Sequence, residues 1–112
     1  MAVREGDIYW LRDEPDAGRI AHPRVVVGVD GDTVTVCALT TNMRKVSMPA
    51  KVLLEAGEGG LSKRSIVEVA KAAVIPASRL GDYVGTVPAE RVEQIRAGIR
   101  FVERAFLPPA AE

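Results

Sequence analysis

A histidine before a proline, His22-Pro23, opens the apolar run Val25-Val26-Val27, and a second run closes on Thr40-Thr41-Asn42. An imidazole exchanges protons near neutral pH, and threonine hydroxyls and the asparagine amide donate hydrogen bonds to anionic oxygens. Four cations lie close by in sequence, Arg19, Arg24, Arg44 and Lys45. Such a set can hold a phosphodiester through its charges and act on it through the imidazole. The same residues also suit a solvated loop histidine, hydroxyls that satisfy backbone groups where a strand ends, and a charged solvated loop. The chemical reading therefore depends on elements that bring the two segments together.

A hairpin does that. Arg24 to Val29 is β-branched and nearly all apolar, as in a strand covered on both faces. Asp30-Gly31 then tolerates the positive φ of a two-residue turn, so Thr33 to Thr40 is expected to run antiparallel to it. Ile8 to Leu11 reads as an earlier strand that ends near Arg12, before the surface loop Glu14 to Gly18. Tyr9 and Trp10 point to opposite faces of it, so one packs in the core while the other can offer a stacking face to a base. Ala50 to Glu55 and Ser65 to Ala70 are further strands, with Gly59-Gly60 in the turn between them. Ile75 to Leu80 reads as one helical turn stopped by Gly81, followed by a last strand from Tyr83 to Val87.

Pro88 suits a first helical position, and Val92, Ile95, Ile99, Val102 and Phe106 recur every three or four residues, which predicts an amphipathic helix. Short strands followed by one helix, with no βαβ repeat, predict a mainly β (α+β) fold, a small SH3-like antiparallel barrel capped by a C-terminal helix. At 112 residues this is one domain over 1–107, with 108–112 as a disordered tail after Pro108-Pro109.

Composition narrows the function classes. Fifteen basic and fifteen acidic residues leave no global charge to attract nucleic acid, so any such contact must be local. A lone cysteine and a lone histidine give no ligand set for zinc, and no metal or other cofactor is expected. Cys37 lies within a strand and reads as a small buried hydrophobe. No apolar run reaches the roughly 18 residues of a spanning helix, and the first residues have no apolar centre of a signal peptide. A cytoplasmic protein with no membrane contact is expected. Apolar surface on so small a chain also predicts a homodimer.

Taken in order, Gly6 to Trp10, His22 to Val27, Val36 to Asn42, Leu61 to Val67 and Ser78 to Gly81 resemble blocks of the MazF/PemK family of toxins, over about Gly6 to Phe106. The resemblance implies an SH3-like barrel, a homodimer, and metal-independent cleavage of single-stranded RNA by the substrate's own 2′-hydroxyl. It also implies a type II toxin–antitoxin pair, with an antitoxin protein occupying the RNA groove. The family's catalytic positions fall on His22 and Thr40, and Arg19, Arg24, Thr41, Asn42, Arg44 and Lys45 become candidates for RNA binding. Two departures stand out. His22 replaces an arginine common in the family, and Lys71-Ala72-Ala73-Val74 lacks an arginine seen after the fifth strand. They motivate an alternative of a different class, a degenerate binding module that holds antitoxin or RNA without cleavage.

Overall fold

The structure is a computed structural model that describes residues 2–12, 22–44 and 51–106. Seven strands and one long helix lie among them: β1 Asp7–Leu11, β2 Arg24–Asp30, β3 Thr33–Thr40, β4 Val52–Leu54, β5 Ser65–Val67, β6 Ala73–Pro76, β7 Leu80–Thr86 and α1 Ala89–Phe106. All the pairings are antiparallel. The order is β4-β5-β3-β2-β1-β7, and β6 also pairs with β3. The expected class, a small curled antiparallel sheet with a terminal helix, is the one observed.

The β2–β3 hairpin forms where Asp-Gly places it. Asp30 pairs with Thr33, leaving Gly31 and Asp32 as the turn, and Gly31 takes a φ of 59° that a side chain would resist. Strand β3 is the hub. Its first half, Thr33 to Val36, pairs with β6, while Leu39 and Thr40 at its end pair with Val67 and Ile66 of β5. One strand thus belongs to two ladders that diverge along its length, and the sheet curls around it.

Both faces of that curl are packed. Val25, Val27, Cys37 and Leu39 join Ile8, Leu54, Val67 and the helix residues Val92 and Ile95 in the larger core. Val26, Val34 and Val36 turn the other way, against Tyr9, Leu11 and Leu80. The near-continuous apolar run of β2 reflects this two-sided burial. On α1 the stripe is as its spacing requires, with Val92 and Ile95 buried and Ile99 and Val102 packed beside them. The helix starts one residue later than expected, because the Pro88 carbonyl accepts the Arg91 and Val92 amides from outside it.

Three local expectations change. The strand expected from Ser65 to Ala70 stops at Val67, and Val69–Lys71 forms a 3₁₀ turn. Ala73–Pro76, expected to belong partly to a helical turn, is a strand bonded to β3, and the 3₁₀ turn is confined to Ala77–Arg79. Gly81 stops nothing, because β7 runs from Leu80 and pairs with β1. The tail 108–112 lies outside the described residues.

No ladder joins β4 to β7, and the two ends of the sheet meet instead through glycine. The 3₁₀ turn Glu58–Gly60 lies against Val84 and Gly85 so closely that a Cβ built on Gly85 would stand 2.2 Å from the Gly59 carbonyl oxygen. One built on Gly60 would stand 2.3 Å from the Val84 oxygen. The helix secures this seam. Arg91 donates to both oxygens of Glu58, Nε to Oε2 at 2.9 Å and Nη2 to Oε1 at 2.8 Å, and Glu58 Oε1 also accepts the Glu55 amide at 2.7 Å. The Arg91 bond, followed by the Glu55 amide, holds the Glu58 carboxyl below its ordinary value.

Gly85→Ala is expected to lower unfolding stability by about 1–3 kcal/mol through overpacking, read as a reduced urea midpoint at unchanged slope. For Glu58 the folded carboxyl is the more acidic, so its contribution is present above the unfolded value and disappears as pH falls through the lowered one. Glu58→Gln should therefore cost about 1 kcal/mol or less at pH 7, and the gap to wild type should close in urea titrations at acid pH.

Candidate active site

Register decides which side chains share a corner. Arg24 pairs with Ala38, and the Leu39 amide donates to the Pro23 carbonyl at 2.9 Å, so the β2–β3 pairing continues one residue past the strand. Carried one step past the last of these contacts, the same count would set His22 opposite Thr40. Opposite residues of an antiparallel pair project to the same face, typically with Cβ atoms about 4.5–5.5 Å apart. The His22 backbone is held as well, since Arg24 Nη1 donates to the His22 carbonyl.

At this corner opens a cleft of about 420 Å³ lined by His22, Pro23, Leu39 and Thr41, by Trp10 of β1, and by Gly60, Leu61, Ser62, Lys63, Ser65 and Val84 across from them. Its floor is apolar and its rim carries hydroxyls, an imidazole, an ammonium and an indole. Trp10 is exposed while its neighbour Tyr9 is buried, as strand alternation requires. Tyr9 is tied down by donating its hydroxyl to Asp7 Oδ2 at 3.1 Å. Asp7 is itself buried and accepts Thr86 Oγ1 at 2.8 Å and the Arg4 amide at 2.9 Å. That polar rung locks β1 to β7 and sets the side from which Trp10 projects.

The two threonines divide. Thr40 is buried, and its Oγ1 accepts the Asn42 amide at 3.1 Å, which leaves the hydroxyl proton for another acceptor. Thr41 is exposed and lines the cleft. Asn42 turns its Oδ1 to the Arg44 amide at 3.1 Å, so the chain leaving β3 is held by a ladder of side-chain bonds. Thr40, Asn42, Arg24 and Arg44 are not among the cleft-lining residues, and Arg19 and Lys45 lie outside the described residues.

Three lining side chains escaped the sequence reading of the site. Ser62, Lys63 and Ser65 arrive because β5 pairs with the end of β3, a contact across some 25 positions that no local pattern announces. Cys37 takes no part. It is fully buried, and desolvation pushes its thiol up to about 12. Among the described residues no three His, Cys, Asp or Glu side chains converge as a metal site would require.

Comparison with known proteins agrees with this architecture. The family model of PemK-like, MazF-like toxins of type II toxin–antitoxin systems matches residues 4–102. Endoribonuclease MazF6 of Mycobacterium tuberculosis and endoribonuclease MazF2 of Mycobacterium bovis are each 30% identical over 111 residues, covering 91% of this chain and 97% of the relative. Among solved structures, a mycobacterial endoribonuclease in complex with its cognate antitoxin superposes with a TM-score of 0.71 at 22% identity, covering 96% of this chain and 100% of that one. MazF from Deinococcus radiodurans superposes with a TM-score of 0.67 at 19% identity, covering 91% and 96%.

Proposed function

Because the chain belongs to the PemK-like, MazF-like toxins of type II toxin–antitoxin systems, we propose that it is a metal-independent endoribonuclease for single-stranded RNA, controlled by an antitoxin protein. The observation that carries this reading is the cleft at the β2–β3 corner, where His22 and Thr41 share a lining with the exposed Trp10. Cytoplasm, where RNA and antitoxin are met, is the compartment it implies. Among the described residues no helix is long and apolar enough to cross a membrane.

In the proposed reaction the substrate's 2′-oxygen attacks the adjacent phosphorus, and the bond from phosphorus to the 5′-oxygen breaks. The products are a 2′,3′-cyclic phosphate and a free 5′-hydroxyl. His22 takes the 2′-proton as general base, and the imidazolium so formed returns it to the departing oxygen. Thr40, whose oxygen is occupied by the Asn42 amide, directs its proton to a nonbridging oxygen. Thr41 holds the neighbouring backbone from the cleft wall, with Asn42, Arg24, Arg44, Arg19 and Lys45 as further candidates. Trp10 stacks a base, which requires that base to be unpaired.

Two exposed valines support a homodimer. Val29 of β2 pairs with Val34 and Val74 of β6 pairs with Thr35, so they project from opposite faces of the sheet, and each leaves apolar surface that a second copy could cover.

His22→Ala should reduce kcat on a single-stranded RNA about 10²–10⁴-fold. Thr40→Val should cost about 10²-fold and Thr41→Val much less; the reverse order would move the hydroxyl's role to Thr41. Cyclic-phosphate ends formed in the presence of a chelator would support the reaction class. A protein that binds RNA and never cuts it would be the binding module instead. Light scattering at micromolar concentration should give a dimer mass, and a monomer would overturn that assignment.

A further inference from the structure

A residue that accepts a proton cannot at the same moment be the fixed charge that the reaction needs. As the 2′-oxygen adds to phosphorus, the nonbridging oxygens gain negative charge, and a permanent cation aimed at them is worth most at that point. An arginine supplies that charge throughout. A histidine that has taken the 2′-proton carries its charge beside the attacking oxygen and must then give that proton up, so a fixed cation aimed at the nonbridging oxygens has to come from another side chain.

The described cations around His22 are largely committed elsewhere. Arg24 is bonded to the His22 carbonyl, and Arg44 does not line the cleft. Arg64 turns outward to Glu55, with Nε 3.1 Å from Oε1. Lys63 differs: it lines the same cleft as His22 and Thr41, it is exposed, and it makes no ion pair among the described residues. Of the cleft-lining residues it alone carries a permanent charge.

Its neighbours fix its backbone while leaving its ammonium free. Leu61 is buried and bonded through both its amide and its carbonyl to Glu58 and Gly57. Ser65 Oγ donates to the Lys63 carbonyl at 3.1 Å, and β5 begins at Ser65. The pull of Glu55 on Arg64 sends that side chain away, so two consecutive cations are sorted to different destinations.

We propose that Lys63 holds the nonbridging oxygens of the RNA phosphodiester in this cleft and supplies the fixed positive charge that His22 cannot. The inference rests on the RNA-cleaving reading above and deepens it. It divides between two segments what one guanidinium can combine: proton transfer at the β2–β3 corner, charge from the loop before β5. A lysine suits the second task, because a compact ammonium on a flexible stem can follow a phosphate whose geometry changes during reaction.

The test uses the full chain and its variants Lys63→Gln, Lys63→Arg and Arg64→Gln, each first shown to melt like wild type. Binding is read by anisotropy with a short single-stranded RNA whose 2′-hydroxyls are methylated, across a salt series, and cleavage with the unmodified RNA. Lys63→Gln should lower the magnitude of the log–log salt slope of binding by about 0.7, one phosphate contact on a single strand. It should also lower kcat about 10²-fold. Lys63→Arg should restore the slope and most of the rate, and Arg64→Gln should match wild type. Unchanged slope and rate in Lys63→Gln, with wild type cutting RNA, would overturn the role of Lys63 and leave the nuclease reading standing. A Lys63-dependent slope in a protein that never cuts would support the phosphate contact and remove the nuclease reading. No binding and no cleavage by wild type would overturn both.

Discussion

The contact of Gly59 and Gly60 with Val84 and Gly85 is the constraint on which the rest of the structure depends. It lets the two ends of a seven-stranded sheet meet without a ladder between them, at a separation that no side chain would allow. The turn that makes this contact also supplies Gly60 and Leu61 to the cleft wall, and Val84 faces them from β7. Curl, seam and cleft are therefore one object. The Glu58–Arg91 pair matters because it fastens α1 to that turn, so the helix that covers the larger core also steadies the wall of the site.

Within this frame β3 converts sheet geometry into chemistry. Because its first half pairs with β6 and its end with β5, the two ladders separate at Cys37 and Ala38, just before Thr40 and Thr41. The diverging edge admits His22 from one side and the Ser62 to Ser65 loop from the other. A flat sheet would have kept them apart. Burial on both faces of β2 and β3 makes the corner rigid, since neither strand has a free side toward which to relax.

What was legible in the chain follows the range of each interaction. The β2–β3 hairpin and the α1 stripe were readable because a two-residue turn and a helical period are written in adjacent residues. His22 and Thr40 came within reach of inference through that hairpin. β6 was misread as part of a helical turn, since four residues ending in Pro76 carry little pattern and take their conformation from β3, some 40 positions away. Gly59-Gly60 looked like an ordinary turn, because nothing local says that another backbone will press against it. Lys63 and Arg64 are consecutive cations that no local pattern tells apart, because Glu55 and the cleft, which separate their roles, are tertiary partners.

The alternation that buries Tyr9 and exposes Trp10 has an optical consequence. Trp10 is the one tryptophan of the chain, and it stands on the cleft wall rather than in the core. Indole emission responds to solvent and to stacked neighbours. The intrinsic fluorescence of this protein is therefore a local signal from its cleft, carried by a single unlabelled chromophore and separable from the folding of the cores behind it.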